Sequence, residues 1–245
     1  MKKLALIALT ALSLTLTSCV FNVNASTQTG ERSAKEYSLR GFNSLEVSGD
    51  FIVNVAQGPY NVFLDIPAEF EQYLHFHIHD KKLHLSYENV PVKLRRLLNR
   101  KDYRSVANIS LPDVKGIDVL GACDLKAIGL DVRELDIDCQ GACKMEVEGS
   151  FGDLDVECSG ATSLLLSGKA ESFEVDCEGA SKVKAAELIC EKASVELNGA
   201  SYASVRAIEH LDVECNGASK IEYKVEDDTI VRIESSGASK IVRVH

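Results

Sequence analysis

Through the second half of the chain, apolar and polar residues alternate one by one, and a Gly-Ala pair interrupts the alternation at near-constant intervals. Gly121, Gly141, Gly160, Gly179, Gly199, Gly217 and Gly237 are each followed by Ala, at spacings of 20, 19, 19, 20, 18 and 20 residues. Four residues before the glycine stand Ile117, Ile137, Val156, Val175, Val195, Val213 and Ile233, all β-branched. Two before it stand Val119, Cys139, Cys158, Cys177, Leu197, Cys215 and Ser235; two after it, Cys123, Cys143, Thr162, Ser181, Ser201, Ser219 and Ser239. Alternation at period two predicts strands with one buried face. The glycine marks a corner where the backbone needs positive φ or a close approach. A unit of this length cannot bury its apolar face alone, so successive units must stack. The predicted fold is all-β: a right-handed parallel β-helix (β-solenoid) of about 19-residue coils, the hand following from the general preference of parallel crossovers. At about 4.8 Å per rung, seven rungs would stand about 34 Å tall. An antiparallel sandwich would not require the same residue type at one phase of the period.

Residues 41–116 are less regular. The stretch around Gly49, with Leu45 and Val47 before it and Phe51 and Val53 after it, fits the repeat phase as an additional or capping coil. Residues 62–66, 74–78 and 83–87 alternate as strands, with Asp80-Lys81 as a hairpin tip. This part is expected to form an irregular β-rich cap over the N-terminal end of the stack, which must be covered to prevent edge-to-edge growth. The domain therefore spans 37–245, with 37–116 as cap and 117–245 as regular coils.

The N-terminus supplies an address. Lys2 and Lys3 precede an apolar run over 4–16 that is too short to span a bilayer, which reads as a signal peptide over 1–18. Leu16-Thr17-Ser18-Cys19 looks like a bacterial lipobox, with Cys19 as the acylated residue. The alternative is ordinary cleavage near Asn24-Ala25-Ser26. Val20, in place of an acidic retention signal, favours the outer membrane, periplasmic or surface face. Residues 19–36 read as the lipidated Cys and a flexible tether. The formal net charge is −10, from 27 basic and 37 acidic residues, which argues against nucleic acid as a partner.

Four constellations carry possible chemistry. Three residues before each corner glycine stand Asp118, Asp138, Glu157, Asp176, Glu196, Glu214 and Glu234, with Glu46 in the same phase. Such a column is either a binding face for a cation or a basic partner, with Ca²⁺ the best-matched hard ion, or a solvated face. Lys144, Lys182, Lys220 and Lys240 form a basic column around the corner and would relieve it if they can reach. Seven cysteines follow Cys19: Cys123, Cys139, Cys143, Cys158, Cys177, Cys190 and Cys215. An oxidising envelope allows disulfides, but in-register stacking holds Cβ atoms too far apart, so they read as small buried core residues. His75, His77 and His79 share a strand face with His84 opposite His77, either a transition-metal set or a wet face. Lys93, Arg95, Arg96, Arg100, Lys101 and Arg104 form a basic run with Leu94, Leu97 and Leu98 at helical spacing: an amphipathic contact for anionic lipid or glycan phosphate, or a charged loop.

No nucleophile elbow, phosphate loop or metalloprotease helix is present, and no cofactor is called for. Gly41-Phe42-Asn43-Ser44-Leu45-Glu46-Val47-Ser48-Gly49, the segment Val106-Ala107-Asn108-Ile109-Ser110-Leu111-Pro112-Asp113-Val114 and the Gly-Ala-Ser ladder resemble the family described as putative auto-transporter adhesin, head GIN domain, from Bacteroides-type envelope proteins. The resemblance covers about 37–245. It implies a β-helical extracytoplasmic domain and adhesion, and it brings no catalytic residues or ligand. The Cys columns depart from the Ser-rich form but keep the alternation. The expected function is thus a lipid-anchored, non-catalytic envelope binding or scaffold protein acting on a glycan or envelope protein. The alternatives are a carbohydrate-active β-helix enzyme, or a spacer that self-associates through a solenoid edge.

Overall fold

The computed structural model describes residues 30–98, 100 and 103–244. The signal peptide, Cys19, most of the tether and Lys101 lie outside the described residues.

The chain forms strands β1 (Arg32–Tyr37), β2 (Ser44–Gly49), β3 (Phe51–Gln57), β4 (Asn61–Pro67), β5 (Leu74–His79) and β6 (Lys82–Tyr87). A short helix α1 (Val92–Leu98) precedes β7 (Ser105–Leu111) and β8 (Gly116–Gly121). Long bent strands then carry the repeat: β9 (Asp124–Gly141), β10 (Lys144–Gly160), β11 (Ser163–Cys177), β12 (Lys182–Leu197) and β13 (Tyr202–Cys215). The stack ends with β14 (Lys220–Val225), β15 (Ile230–Ser235) and β16 (Lys240–Arg243). From β8 onward every pairing is parallel, each strand lying on its copy one coil away. The expected parallel β-helix is the fold. Val156, Val175, Val195 and Val213 pair in one row and are all buried.

The unequal coil lengths have a local cause. Register shifts fall between Glu148 and Gly149, Leu165 and Ser167, and Ala185 and Ile189, all on the return segment. In the first 20-residue coil the extra residue is Gly129, which the pairing skips. Bulges on the return absorb insertions while the corner stays in register.

The corner is the invariant part. The amide of each Ala after the glycine donates to the carbonyl of the previous rung's glycine: Ala142 to Gly121, Ala161 to Gly141 and Ala180 to Gly160, all at 2.8 Å. That approach leaves no room for a side chain. A Cβ on Gly179 would sit 2.8 Å from the Gly160 carbonyl oxygen, and φ there is +81°. Inside the corner, the residue two after the glycine closes the turn: Ser219 Oγ donates to the Asn216 carbonyl at 2.8 Å and Ser201 Oγ to the Asn198 carbonyl at 3.0 Å. These two hydroxyls are buried yet satisfied, which accounts for serine on the inward face, whereas Thr162 Oγ1 in the same column is buried without a hydrogen-bond partner among the described residues.

The N-terminal part corrects two expectations. Residues 37–116 are not wholly irregular. β6 pairs in parallel with β2, and β7 with β3, so 82–111 make a regular rung beneath the one built by β2 and β3. β8 then crosses to the other side of β2, setting Gly121 against Gly49. Chain order and stacking order therefore differ, and the repeat spacing is lost from the sequence although the geometry is kept. In this lower rung an excursion that carries α1, between β6 and β7, takes the place of the corner glycine. The cap proper is antiparallel: β1 on β4, β4 on β7 and β5 on β6. The second correction concerns the tether. Arg32–Tyr37 is strand β1, so residues 32–36 belong to the cap. Its holding force is backbone pairing plus Arg32, whose Nε donates to Asp65 at 2.8 Å, and an apolar pattern gives no sign of it.

The glycine ladder makes a sharp prediction. Gly129 also has positive φ, +74°, but nothing lies within 4 Å of a Cβ there. Gly129→Ala should cost only conformational strain, about 1 kcal/mol, whereas Gly179→Ala adds a backbone clash and should cost about 3 kcal/mol or more. Urea unfolding of the two variants measures the gap; equal losses would show that close approach at the corner is not limiting.

Candidate functional site

Because side chains alternate across a strand, the residue three before each corner glycine points outward on every rung. Pairing sets Glu46 against Asp118, Asp118 against Asp138, then Glu157, Asp176, Glu196, Glu214 and Glu234 in unbroken register. A partial second column lies two residues earlier, where Asp136, Asp155 and Glu174 stack. Neighbouring carboxylates about 4.8 Å apart repel by roughly 0.9 kcal/mol even in bulk water.

Relief comes from two sources, neither of them the corner lysines. At the cap end, β6 lies beside β2: Lys82 forms a close ion pair with Asp118, and His84 Nδ1 lies 3.1 Å from Glu46. Asp118 is thus tied up structurally. Farther along, side-chain amides next to the glycine donate to the acids: Gln140 to Asp138 at 3.0 Å, Asn198 to Glu196 at 2.8 Å and Asn216 to Glu214 at 2.9 Å. Among the described residues, Asp138, Glu157, Asp176, Glu196, Glu214 and Glu234 have no cationic partner. Glu157, Glu196, Glu214 and Glu234 are exposed, and Asp138 and Asp176 half-buried. Burial first, then repulsion from Glu196 and Glu178, raises the Asp176 carboxyl above the ordinary carboxylate value. Burial also leads for Asp136 and Asp155, followed by Glu134 and Glu174 respectively. A shallow groove of about 270 Å³ opens on this face, lined by Glu196, Asp212, Glu214, Arg232 and Glu234 among others.

The lysines stay on their own side of the corner. Lys182 and Lys220 flank the Tyr202 ring at 5.3 and 5.6 Å, and Lys220 Nζ lies 2.6 Å from Glu222. Ser163 and Tyr202 interleave the column, which separates Lys144, Lys182 and Lys220.

The other candidates resolve individually. All seven cysteines in the described chain are buried and unbridged. Burial pushes the Cys123 and Cys190 thiols up to about 12, which suits packing and not nucleophilic work. His77 and His84 are cross-strand partners with rings stacked at 4.7 Å, as the hairpin tip requires. Among the described residues no group of three His, Cys, Asp or Glu could hold a metal ion. The basic run divides. Lys93, Arg95 and Arg96 ride on α1, exposed. Arg104 is removed from that set: its Nε donates to Asp50 at 2.5 Å, it pairs with Asp124, and Nη2 donates to the Phe51 and Ala122 carbonyls at 2.8 and 3.0 Å. It bolts the excursion to the first corner. A spacing pattern could not separate it from its neighbours, because its acidic partners lie 54 and 20 residues away.

A second groove of about 560 Å³ lies along the return, lined by Asp131, Arg133, Asp153 and Glu171. Phe151, which also borders it, is turned into the core. Among the described residues no helix is long and apolar enough to cross a membrane.

Comparison with known proteins places this geometry. Several solved structures share the fold. A putative adhesin from Bacteroides fragilis has a TM-score of 0.78 at 18% identity, over 88% of this chain and 98% of that one. A putative adhesin from Parabacteroides merdae scores 0.59 at 16% identity, over 89% and 98%. A protein from Parabacteroides distasonis described as a putative lipid binding protein scores 0.63 at 17% identity, over 89% and 98%. Comparison with curated proteins finds no match. The family model for "Putative auto-transporter adhesin, head GIN domain" matches residues 41–226, from just before β2 through the end of β14, and the chain belongs to that family.

Proposed function

We propose that this protein is a lipid-anchored component of the cell envelope that binds a partner without catalysing a reaction, an adhesin-type module. The family and the structures sharing its fold, named putative adhesins, support a role at the envelope or cell surface. Anchoring through Cys19 rests on the lipobox in the sequence. The single observation that carries the binding reading is the ladder from Asp138 to Glu234, in register and without a cationic partner among the described residues. A rigid row of carboxylates at a fixed spacing matches a ligand that repeats, such as a basic segment of an envelope protein. The column also keeps the flat sheet from sticking to itself, which a solvated face would equally do; binding data separate the two.

Three outcomes are expected. Membrane extracts of cells expressing the full chain should yield an N-terminal peptide that begins at acylated Cys19 by mass spectrometry, and Cys19→Ala should leave the protein in the soluble fraction. In a screen of glycans and envelope proteins with and without Ca²⁺, charge reversal of Asp138, Asp176 and Glu214 should abolish binding; retained binding would remove the acidic face from the reading.

The third concerns pH. Asp136, Asp155 and Asp176 have folded-state pKa values above their unfolded ones. The unfolded chain is the stronger acid at these positions, so their ionisation opposes folding above the raised value. Stability therefore rises as pH falls from neutral towards the ordinary carboxylate range. Glu71 and Glu222, lowered by hydrogen bonds from Lys35 and Lys220, lose their contribution only below that range. The urea midpoint should rise as pH falls from neutral towards that range. Asp155→Asn with Asp176→Asn should flatten the difference and raise stability at neutral pH by roughly 0.5 kcal/mol, the scale of a like-charge cross-strand pair.

A further inference from the structure

We propose that helix α1 is a membrane-surface contact that sets the cap end of the solenoid against anionic lipid headgroups. The inference rests on the reading of a lipid-anchored envelope protein given above, and its test uses a chain without Cys19 so that the two can fail separately.

The observations are local. Every other rung turns its corner with a glycine, followed by Ala in seven and by Asp50 in the rung of β2 and β3, but the rung of β6 and β7 instead sends out the excursion that carries α1. α1, within that excursion, is amphipathic and incompletely covered. None of its residues is buried. Leu94, Leu97 and Leu98 are only half-buried, and Val92 is 73% exposed. Lys93, Arg95 and Arg96 are exposed beside them. Lys93 and Arg96 have no ion-pair partner among the described residues. In a chain of net charge −10, with acids lining the rest of the stack, this is a local inversion of sign. A short helix showing basic heads and uncovered apolar carbons fits the boundary between headgroups and acyl chains. A globular core would have covered the leucines, and a purely solvated loop would not carry them.

The position of the chain's start selects the occupant. A Cβ on Gly30 would lie 3.5 Å from the Tyr103 hydroxyl, and Arg32 Nη2 donates to the Arg104 carbonyl at 3.3 Å. The described chain thus begins beside the excursion. Cys19 is eleven residues before Gly30, so no more than about 40 Å of extended chain separates them. Any lipid on Cys19 brings a bilayer surface within reach of α1, and positive charge at that place meets anionic headgroups.

The chain from Val20 onward, the expected mature chain less Cys19, serves as the test protein, its strand content checked by circular dichroism before use. Co-sedimentation is measured with vesicles of phosphatidylcholine alone and of phosphatidylcholine and phosphatidylglycerol in equal parts. Binding is expected only to the second, and salt should weaken it. Lys93→Glu with Arg96→Glu should reduce partitioning about tenfold or more, with an unchanged circular dichroism spectrum. Lys182→Glu with Lys240→Glu, which changes net charge equally at the corner column, should leave it unaltered. Equal binding to both vesicles, no binding to either, or equal losses in the two double variants would overturn the proposal. Because Cys19 is absent from this segment, failure here leaves the acylation reading untouched, and absence of acylation in cells leaves this result standing.

Discussion

One carbonyl oxygen per coil governs the molecule. The oxygen of each corner glycine accepts the amide of the next rung's alanine at 2.7–3.0 Å, and the same oxygen occupies the space a Cβ on the next glycine would need. Hydrogen bond and steric exclusion are two aspects of one close approach. Positive φ alone would admit Asn or Asp at some corners; the approach does not. A coil can lengthen or shorten on its return, where bulges take up one or two residues, but the corner cannot move. Register is therefore pinned once per turn, and every column of side chains follows from it.

Fixed register forces like onto like. Inside, this is favourable: β-branched residues stack on β-branched residues, and buried thiols or hydroxyls on their own kind, where Ser219 and Ser201 close the turn from within. Outside, it sets carboxylate on carboxylate. The fold offsets that repulsion with an adjacent column of amides and, at the cap end, with Lys82 and His84. Six successive acids remain without a cation, which is the property the proposed binding role uses.

The repeat was legible because its information is local. Gly-Ala at a period near nineteen, with inward columns at even offsets, specified strands, corner and stacking together, and residues such as Val156 and Val175 pair as their phase requires. The cap was not legible in the same way. β6 and β7 build a rung as regular as any other, but they stack beneath strands that precede them in sequence, so no spacing reports it. β1 is held by backbone bonds and the Arg32–Asp65 pair instead of an apolar stripe. Arg104 looked like one more charge in a basic run, because the four groups that hold it come together only in three dimensions. The hairpin of β5 and β6 was readable, since Asp80 and Lys81 adopt the positive φ of a two-residue tip.

An acidic rod that rests one end on an anionic surface needs a reason not to be repelled by it. The order of rungs supplies one. The rung of β6 and β7 carries Lys82, which pairs with Asp118, and His84, whose Nδ1 lies beside Glu46, so the acids of the two rungs that follow are both engaged. The first acid without a cation, Asp138, lies three rungs from β6, about 14 Å away. That exceeds the Debye length of about 8 Å at physiological ionic strength. A surface beneath the cap would then meet the field of α1 and of the rungs that carry Lys82 and His84, with the open ladder screened. The same separation leaves the ladder exposed to whatever approaches from the side, so anchoring at one end and binding along the flank do not compete.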